Sequence, residues 1–199
     1  MKRIIGVTGG VGAGKSRVLS ILQEEYKAHV IQADQVAKRL MEPGKECFER
    51  VVELLGPGIL TPQGTIDRPA MARRVFQDPE LLSRVNRLTH PAVWRAVMEE
   101  AAGCGEELVV IEAAVLGEEF RDNCREMWYV YTSEENRIAR LSQDRGYDRE
   151  KSAAIIRNQA SEEQFRAFCS HVIDNNGTVE ATRAQIRRLL SETTGETAT

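Results

Sequence analysis

A chain of 199 residues suits one domain with room for a small inserted subdomain, and 42% hydrophobic against 29% charged residues read as a folded, soluble protein. A formal net charge of −3 supplies no global basic field, so nucleic acid is not an expected partner and small molecules in local positive pockets are. Cys47, Cys104, Cys124 and Cys169 show no C-x-x-C pair and no regular spacing, which argues against a disulfide framework or a zinc site and for reduced thiols in a cytoplasm.

The first apolar, β-favouring run, Ile4–Val7, is too short for a signal peptide, and no stretch approaches the ~18 apolar residues of a membrane span. It leads into Gly9-Gly10-Val11-Gly12-Ala13-Gly14-Lys15-Ser16 and then the helical pattern Arg17–Glu25. Strand, then G-x-x-x-x-G-K-[ST], then helix is the context in which this pattern signifies a polyphosphate cradle. Glycines let successive N–H groups turn toward an anion, and the helix N-terminus adds its positive end. Gly10 to Arg17 are therefore the expected ATP-binding segment. Within it Lys15 carries charge to the β- and γ-phosphates, and the Ser16 hydroxyl is the expected Mg2+ ligand.

A second strand, Val30–Ala33, brings Asp34 to its carboxyl end, where open α/β sheets place their chemistry. Asp34 reads as the carboxylate that orients an acceptor hydroxyl, or simply as the N-cap of the helix Gln35–Met41. Glu42-Pro43-Gly44 ends that helix. Helical patterns follow at Cys47–Leu55, Ala70–Phe76 and Glu80–Ala102, with Gly56-Pro57-Gly58 and Thr61-Pro62-Gln63-Gly64 bracketing a loop. They make a helical insert between the second and third strands. His90, before Pro91, reads from the residues alone as a packing or capping histidine or as a site residue.

The third strand, Leu108–Ile111, ends at Glu112, which suits a contact near the metal or the acceptor, or a plain strand-end carboxylate. After the fourth strand, Trp128–Tyr131, the helices Glu134–Asp144 and Arg149–Asn158 meet at Gly146-Tyr147 and carry Arg137, Arg140, Arg145, Arg149, Lys151 and Arg157. A hinged, arginine-bearing pair suits a lid, in which Arg140 and Arg145 are expected to reach ATP, although salt-bridged helix faces explain most such charges. Ser161-Glu162-Glu163-Gln164 spells a capping box for the helix to Ser170. The strand Val172–Ile173, the helix Val179–Ser191 and a loose tail from Glu192 to Thr199 complete the chain. Strands alternating with helices imply a doubly wound α/β fold on a parallel five-stranded sheet. Asp174-Asn175-Asn176-Gly177 also spells the D-x-x-G of a GTP switch, but no N-K-x-D stretch accompanies it. A nucleoside or nucleoside-monophosphate kinase shares the layout.

Over Ile5 to about Leu190 the residues resemble one family, the dephospho-coenzyme A kinases. The resemblance rests on Val7-Thr8 with the phosphate loop, Ala33-Asp34 with Glu42-Pro43-Gly44, Leu88 with His90-Pro91, the strand into Glu112-Ala113-Ala114-Val115-Leu116, and Val172-Ile173-Asp174-Asn175-Asn176-Gly177. It implies ATP-dependent phosphorylation of the ribose 3′-hydroxyl of dephospho-CoA, giving CoA and ADP, with Mg2+. The architecture it implies is a P-loop NTPase-type core (about 1–46, 103–135 and 170–191), a helical CoA-binding subdomain (47–102) and a helical lid (136–169). By the same resemblance Asp34 is the catalytic carboxylate beside Lys15. His90, Lys38, Glu112 and Leu116 take the acceptor side, and Asn175 lies near the adenine. A cytoplasmic monomer or weak homo-oligomer is the expected form. The chain departs from the family pattern at Gln32, where an acidic residue is common, and at Lys38, where an arginine is. Asp144-Arg145 stands where the lid often has Arg-Asp, and Ala114 where proline is common.

Overall fold

The computed structural model describes residues 2–192; the expected loose tail beyond Glu192 lies outside the described residues. Five strands, β1 (Arg3–Thr8), β2 (His29–Gln32), β3 (Leu108–Glu112), β4 (Glu126–Tyr131) and β5 (His171–Asp174), form one sheet in the order β2-β3-β1-β4-β5. The pairs β1–β3, β1–β4 and β4–β5 are parallel, with Ile5 opposite Val110 and Glu126, and Tyr129 opposite Val172. The doubly wound parallel sheet expected from strand–helix alternation is present. β1 is its central strand, and its burial explains why the first apolar run has no polar alternation: Ile5, Val7 and Thr8 are all sealed from solvent.

Among the described residues the helices are α1 (Lys15–Tyr26), α2 (Ala33–Leu40), α3 (Glu46–Leu55), α4 (Arg68–Phe76), α5 (Pro79–Gly103), α6 (Glu118–Asp122), α7 (Glu134–Arg145), α8 (Arg149–Arg157), α9 (Glu162–Phe168) and α10 (Val179–Glu192), with a 3-10 turn at Pro57–Ile59. The chain divides into two compact units. The first, Met1–Val30 with Cys104–Thr199, packs Val18, Leu22, Val110, Trp128, Val130, Ile173 and Ile186 into one core around the sheet. Trp128 is fully buried there, its indole N–H donating to Glu126 Oε2 at 2.9 Å. The second unit, Ile31–Gly103, has its own core of Val51, Leu55, Ile59, Val75 and Val85, in which α3 and α4 pack on α5.

One boundary and one element differ from expectation, while the long helix through Pro91 is present as expected. α2 begins at Ala33 rather than Gln35: Gln32 is the extended residue at the helix entry, and Asp34 already lies in the first turn. Asp34 is therefore not the N-cap, and capping cannot be its purpose; its charge still complements the helix dipole. α5 runs unbroken through Pro91, whose missing N–H costs one backbone hydrogen bond in a 25-residue helix. α6 has no counterpart in the sequence reading, because five residues give too little periodicity to register.

Candidate active site

β1 runs straight into the phosphate loop, whose shape demands glycine. At Gly9 φ is +154°, and a Cβ there would lie 2.7 Å from the Val130 carbonyl oxygen. The loop ends at Gly14, left-handed at φ 82°, and α1 begins at Lys15 with neither a side-chain cap nor an acidic residue in its first turn. Most helices satisfy that positive end internally. This helix start is open to an anion, which a phosphate group supplies. Lys15 Nζ donates to the Gly9 carbonyl at 2.9 Å and stands 3.5 Å from Glu112 Oε1. Glu112, only 6% exposed at the end of β3, is thus brought to the loop lysine. The Ser16 side chain is exposed at the start of α1.

A second group of side chains holds the loop through its carbonyls. Asn175, fully buried just after β5, donates from Nδ2 to the Ala13 carbonyl at 2.8 Å; its Oδ1 accepts from Thr182 Oγ1 at 3.0 Å and from Arg17 at 3.4 Å. Arg140 on α7 donates to the carbonyls of Ala13 (3.2 Å) and Asn175 (2.6 Å) and to Thr132 Oγ1 (3.2 Å). Thr132 in turn donates to the Ala13 carbonyl at 2.9 Å. Burial, with the nearby Arg17 charge, pulls the Arg140 guanidinium below its ordinary pKa. Arg140 and Asn175, both expected near the nucleotide, are therefore joined to the carbonyl groups of the loop. Arg145 is the exposed last residue of α7. Thr132 and Gln159 were missed by sequence reasoning, and Arg137, noted there only among the arginines of the two helices, was not given a place at Val11, where its side chain meets that of Gln159. A hydroxyl or amide just beyond a strand or helix gives no periodic signal, and nothing local separates one helix arginine from its neighbours.

Of the acceptor-side residues, Glu112 and Leu116 belong to the first unit, Leu116 half-buried between β3 and α6. Asp34, Lys38 and His90 belong to the second. Asp34 and Lys38 are exposed one turn apart on α2, which packs on α5 and is tied to it by an Arg39–Glu100 ion pair at 2.7 Å. His90 is exposed on α5, while its neighbour Thr89 is buried and donates to the Val85 carbonyl at 3.0 Å.

The Ser16 hydroxyl at the start of α1 and the Glu112 carboxylate beside Lys15 are oxygen donors, the chemistry that suits a hard cation such as Mg2+. Among the described residues one further group brings three possible ligand atoms within 4.8 Å, namely His29, Cys104 and Glu106. Lys2 Nζ donates to the Cys104 carbonyl and lies 3.1 Å from its sulfur, so a protein ammonium already supplies the positive charge there.

A family model for dephospho-CoA kinases matches residues 3–181. A dephospho-CoA kinase of Carboxydothermus hydrogenoformans is 36% identical over 193 residues, covering 95% of this chain and 93% of the relative. Among solved structures, a Thermus thermophilus protein matches with TM-score 0.83 and 32% identity over 98% of this chain and 99% of its own. The shikimate kinase of Acinetobacter baumannii, a complex with shikimate, matches at TM-score 0.57 and 16% identity over 100% and 97% of the two chains, a likeness of fold alone.

Proposed function

Because the chain belongs to the dephospho-CoA kinase family, we propose that it transfers the γ-phosphate of ATP to the ribose 3′-hydroxyl of dephospho-CoA, giving CoA and ADP in the last step of CoA biosynthesis. The observation that carries the reading is the loop itself: an uncapped helix start, glycine-dictated turns and Lys15 held between Gly9 and Glu112. Such a site binds a polyphosphate, and the family match names the acceptor.

Phosphoryl transfer needs little covalent help from a protein; it needs positioned reactants and charge over the moving group. The N–H groups at the start of α1 hold the β-phosphate region, and Lys15 swings from the Gly9 carbonyl to the γ-phosphate. Asp34, directly after β2, accepts the proton of the 3′-hydroxyl as its oxygen bonds to phosphorus and the bond to the ADP oxygen breaks. His90, Lys38 and Leu116 position the acceptor, and Arg145 joins the lid segment over the nucleotide. Ser16, with Glu112 nearby, would hold Mg2+, which would supply positive charge to offset that of the phosphates. The enzyme works in the cytoplasm as a monomer or weak homo-oligomer.

Labelled ATP offered with dephospho-CoA, nucleosides and nucleoside monophosphates tests this directly. Label is expected on dephospho-CoA alone; transfer to a nucleotide instead would replace the acceptor. Asp34→Asn keeps the side chain's shape but removes the proton acceptor, so kcat should fall at least ~100-fold with ATP affinity nearly intact. Near-normal turnover in that variant would remove Asp34 from the chemistry.

A further inference from the structure

We propose that Arg137 and Gln159 are positioning residues for ATP: a clamp from the segment between β4 and β5 that grips both backbone groups of Val11 and sets the phosphate loop in its binding shape. This rests on the reading of the loop as a nucleotide site.

The contacts are specific. Arg137 Nε donates to the Val11 carbonyl at 2.8 Å, and its NH2 donates to Gln159 Oε1 at 2.7 Å. The same Gln159 oxygen accepts the Val11 N–H at 2.9 Å. Arginine, glutamine and one loop residue thus close a ring of three hydrogen bonds, made by side chains 126 and 148 positions from Val11 in sequence. Val11 stands in the loop before the residues whose N–H groups lead into α1. With its N–H and carbonyl fixed, the direction in which the chain enters Gly12 is fixed as well.

The setting is costly for a mere surface charge. Arg137 is 9% exposed, and burial pulls its guanidinium below the ordinary range. A cation desolvated on a helix face is held by the contacts it makes. The planar fork can serve the carbonyl and the amide oxygen at once from two edges, which a lysine ammonium cannot do in the same geometry. The loop is also shaped around this side chain: a Cβ at Gly10 would lie 2.2 Å from Arg137 NH2. A side chain at Gly10 would therefore have to displace the Arg137 guanidinium from its place in the ring.

The test uses the full-length protein with Arg137→Lys and, as a variant that keeps side-chain bulk, Gln159→Leu. Each is compared with the parent for ATP binding by calorimetry without acceptor, for KM of ATP and of dephospho-CoA, for kcat, and for melting midpoint. Both variants should bind ATP about tenfold more weakly. The KM of the acceptor should stay within twofold and the melting midpoint close to the parent's. The double variant should be little worse than either single one, since both break one ring. ATP affinity within twofold of the parent in the folded Gln159→Leu protein overturns the proposal, as does a loss shared equally by both substrates. Should Arg137→Lys fail to fold, Gln159→Leu decides alone. Because ATP binding is read without acceptor, a protein that failed to phosphorylate dephospho-CoA would sink the assigned reaction and leave the clamp's test intact.

Discussion

Glu126 shows how much a single residue can hold. It is 7% exposed at the amino end of β4 and accepts from Arg3 Nε (2.9 Å) and NH2 (2.7 Å), with Trp128 Nε1 at 2.9 Å and His171 Nε2 at 3.4 Å. Removing it takes the carboxylate from the partly buried Arg3 guanidinium and the acceptor from the buried indole N–H. Glu126→Ala should therefore cost roughly 3 kcal/mol of unfolding free energy in urea titrations. A loss below ~1 kcal/mol would mean that Arg3 and Trp128 find other partners. None of this could be read from the sequence, where Glu126 looks like a solvated acid before an apolar run. Its partner Arg3 lies 123 positions away, and no local period encodes such a pairing. Lys15 and Ser16, by contrast, were legible because their chemistry is spelled by contiguous neighbours.

At the scale of elements, legibility followed locality. The capping box at Ser161 was readable because its two halves sit three residues apart: Ser161 Oγ accepts the Gln164 N–H at 3.2 Å and Gln164 Oε1 accepts the Ser161 N–H at 2.8 Å. α9 has only seven residues, too few to hold itself, so Ser161→Ala should lower stability by about 1 kcal/mol, measured by thermal or urea unfolding. An unchanged midpoint would assign α9 wholly to the packing of Phe165 against Tyr129, whose rings stack at 4.8 Å. The entry to α2 was misread for the complementary reason. Asp34 has a cap-forming side chain, but the helix begins two residues early, and tertiary placement outweighed the local preference.

For the whole molecule, pH acts through groups that folding hides. Burial pushes the Cys124 and Cys169 thiols up to about 12, and burial, with the charge of Glu162, raises the Tyr129 phenol. The unfolded chain gives up these thiol protons near pH 9 while the native one keeps them, so the native state binds more protons and stability falls as pH rises from about 9 toward 12. The slope should be at most about 1.4 kcal/mol per pH unit for each thiol, and full stability is present below pH 9. Urea unfolding from pH 8 to 10.5 checks this, with Cys124→Ala and Cys169→Ala expected to flatten the decline. An equal slope in both variants would move the effect to other groups. The sheet and its loop were legible as a whole because alternation and motif agree. The clamp and the carbonyl braces were not, because they join residues that only the closed sheet brings together.

The central place of β1 has a consequence for synthesis. The strand that feeds the phosphate loop is made before both its neighbours, Leu108–Glu112 and Glu126–Tyr131, and Arg3 also donates to the carbonyls of Leu189 and Leu190. On the ribosome, β1 must wait for β3 before its first pairing and for α10 before Arg3 is fully engaged. Until then an apolar strand stands with both edges open, a state that attracts other open strands. Slow translation upstream of β3 would lengthen that exposure, and anything that holds the nascent amino terminus aside until the third strand emerges would raise the yield of folded protein.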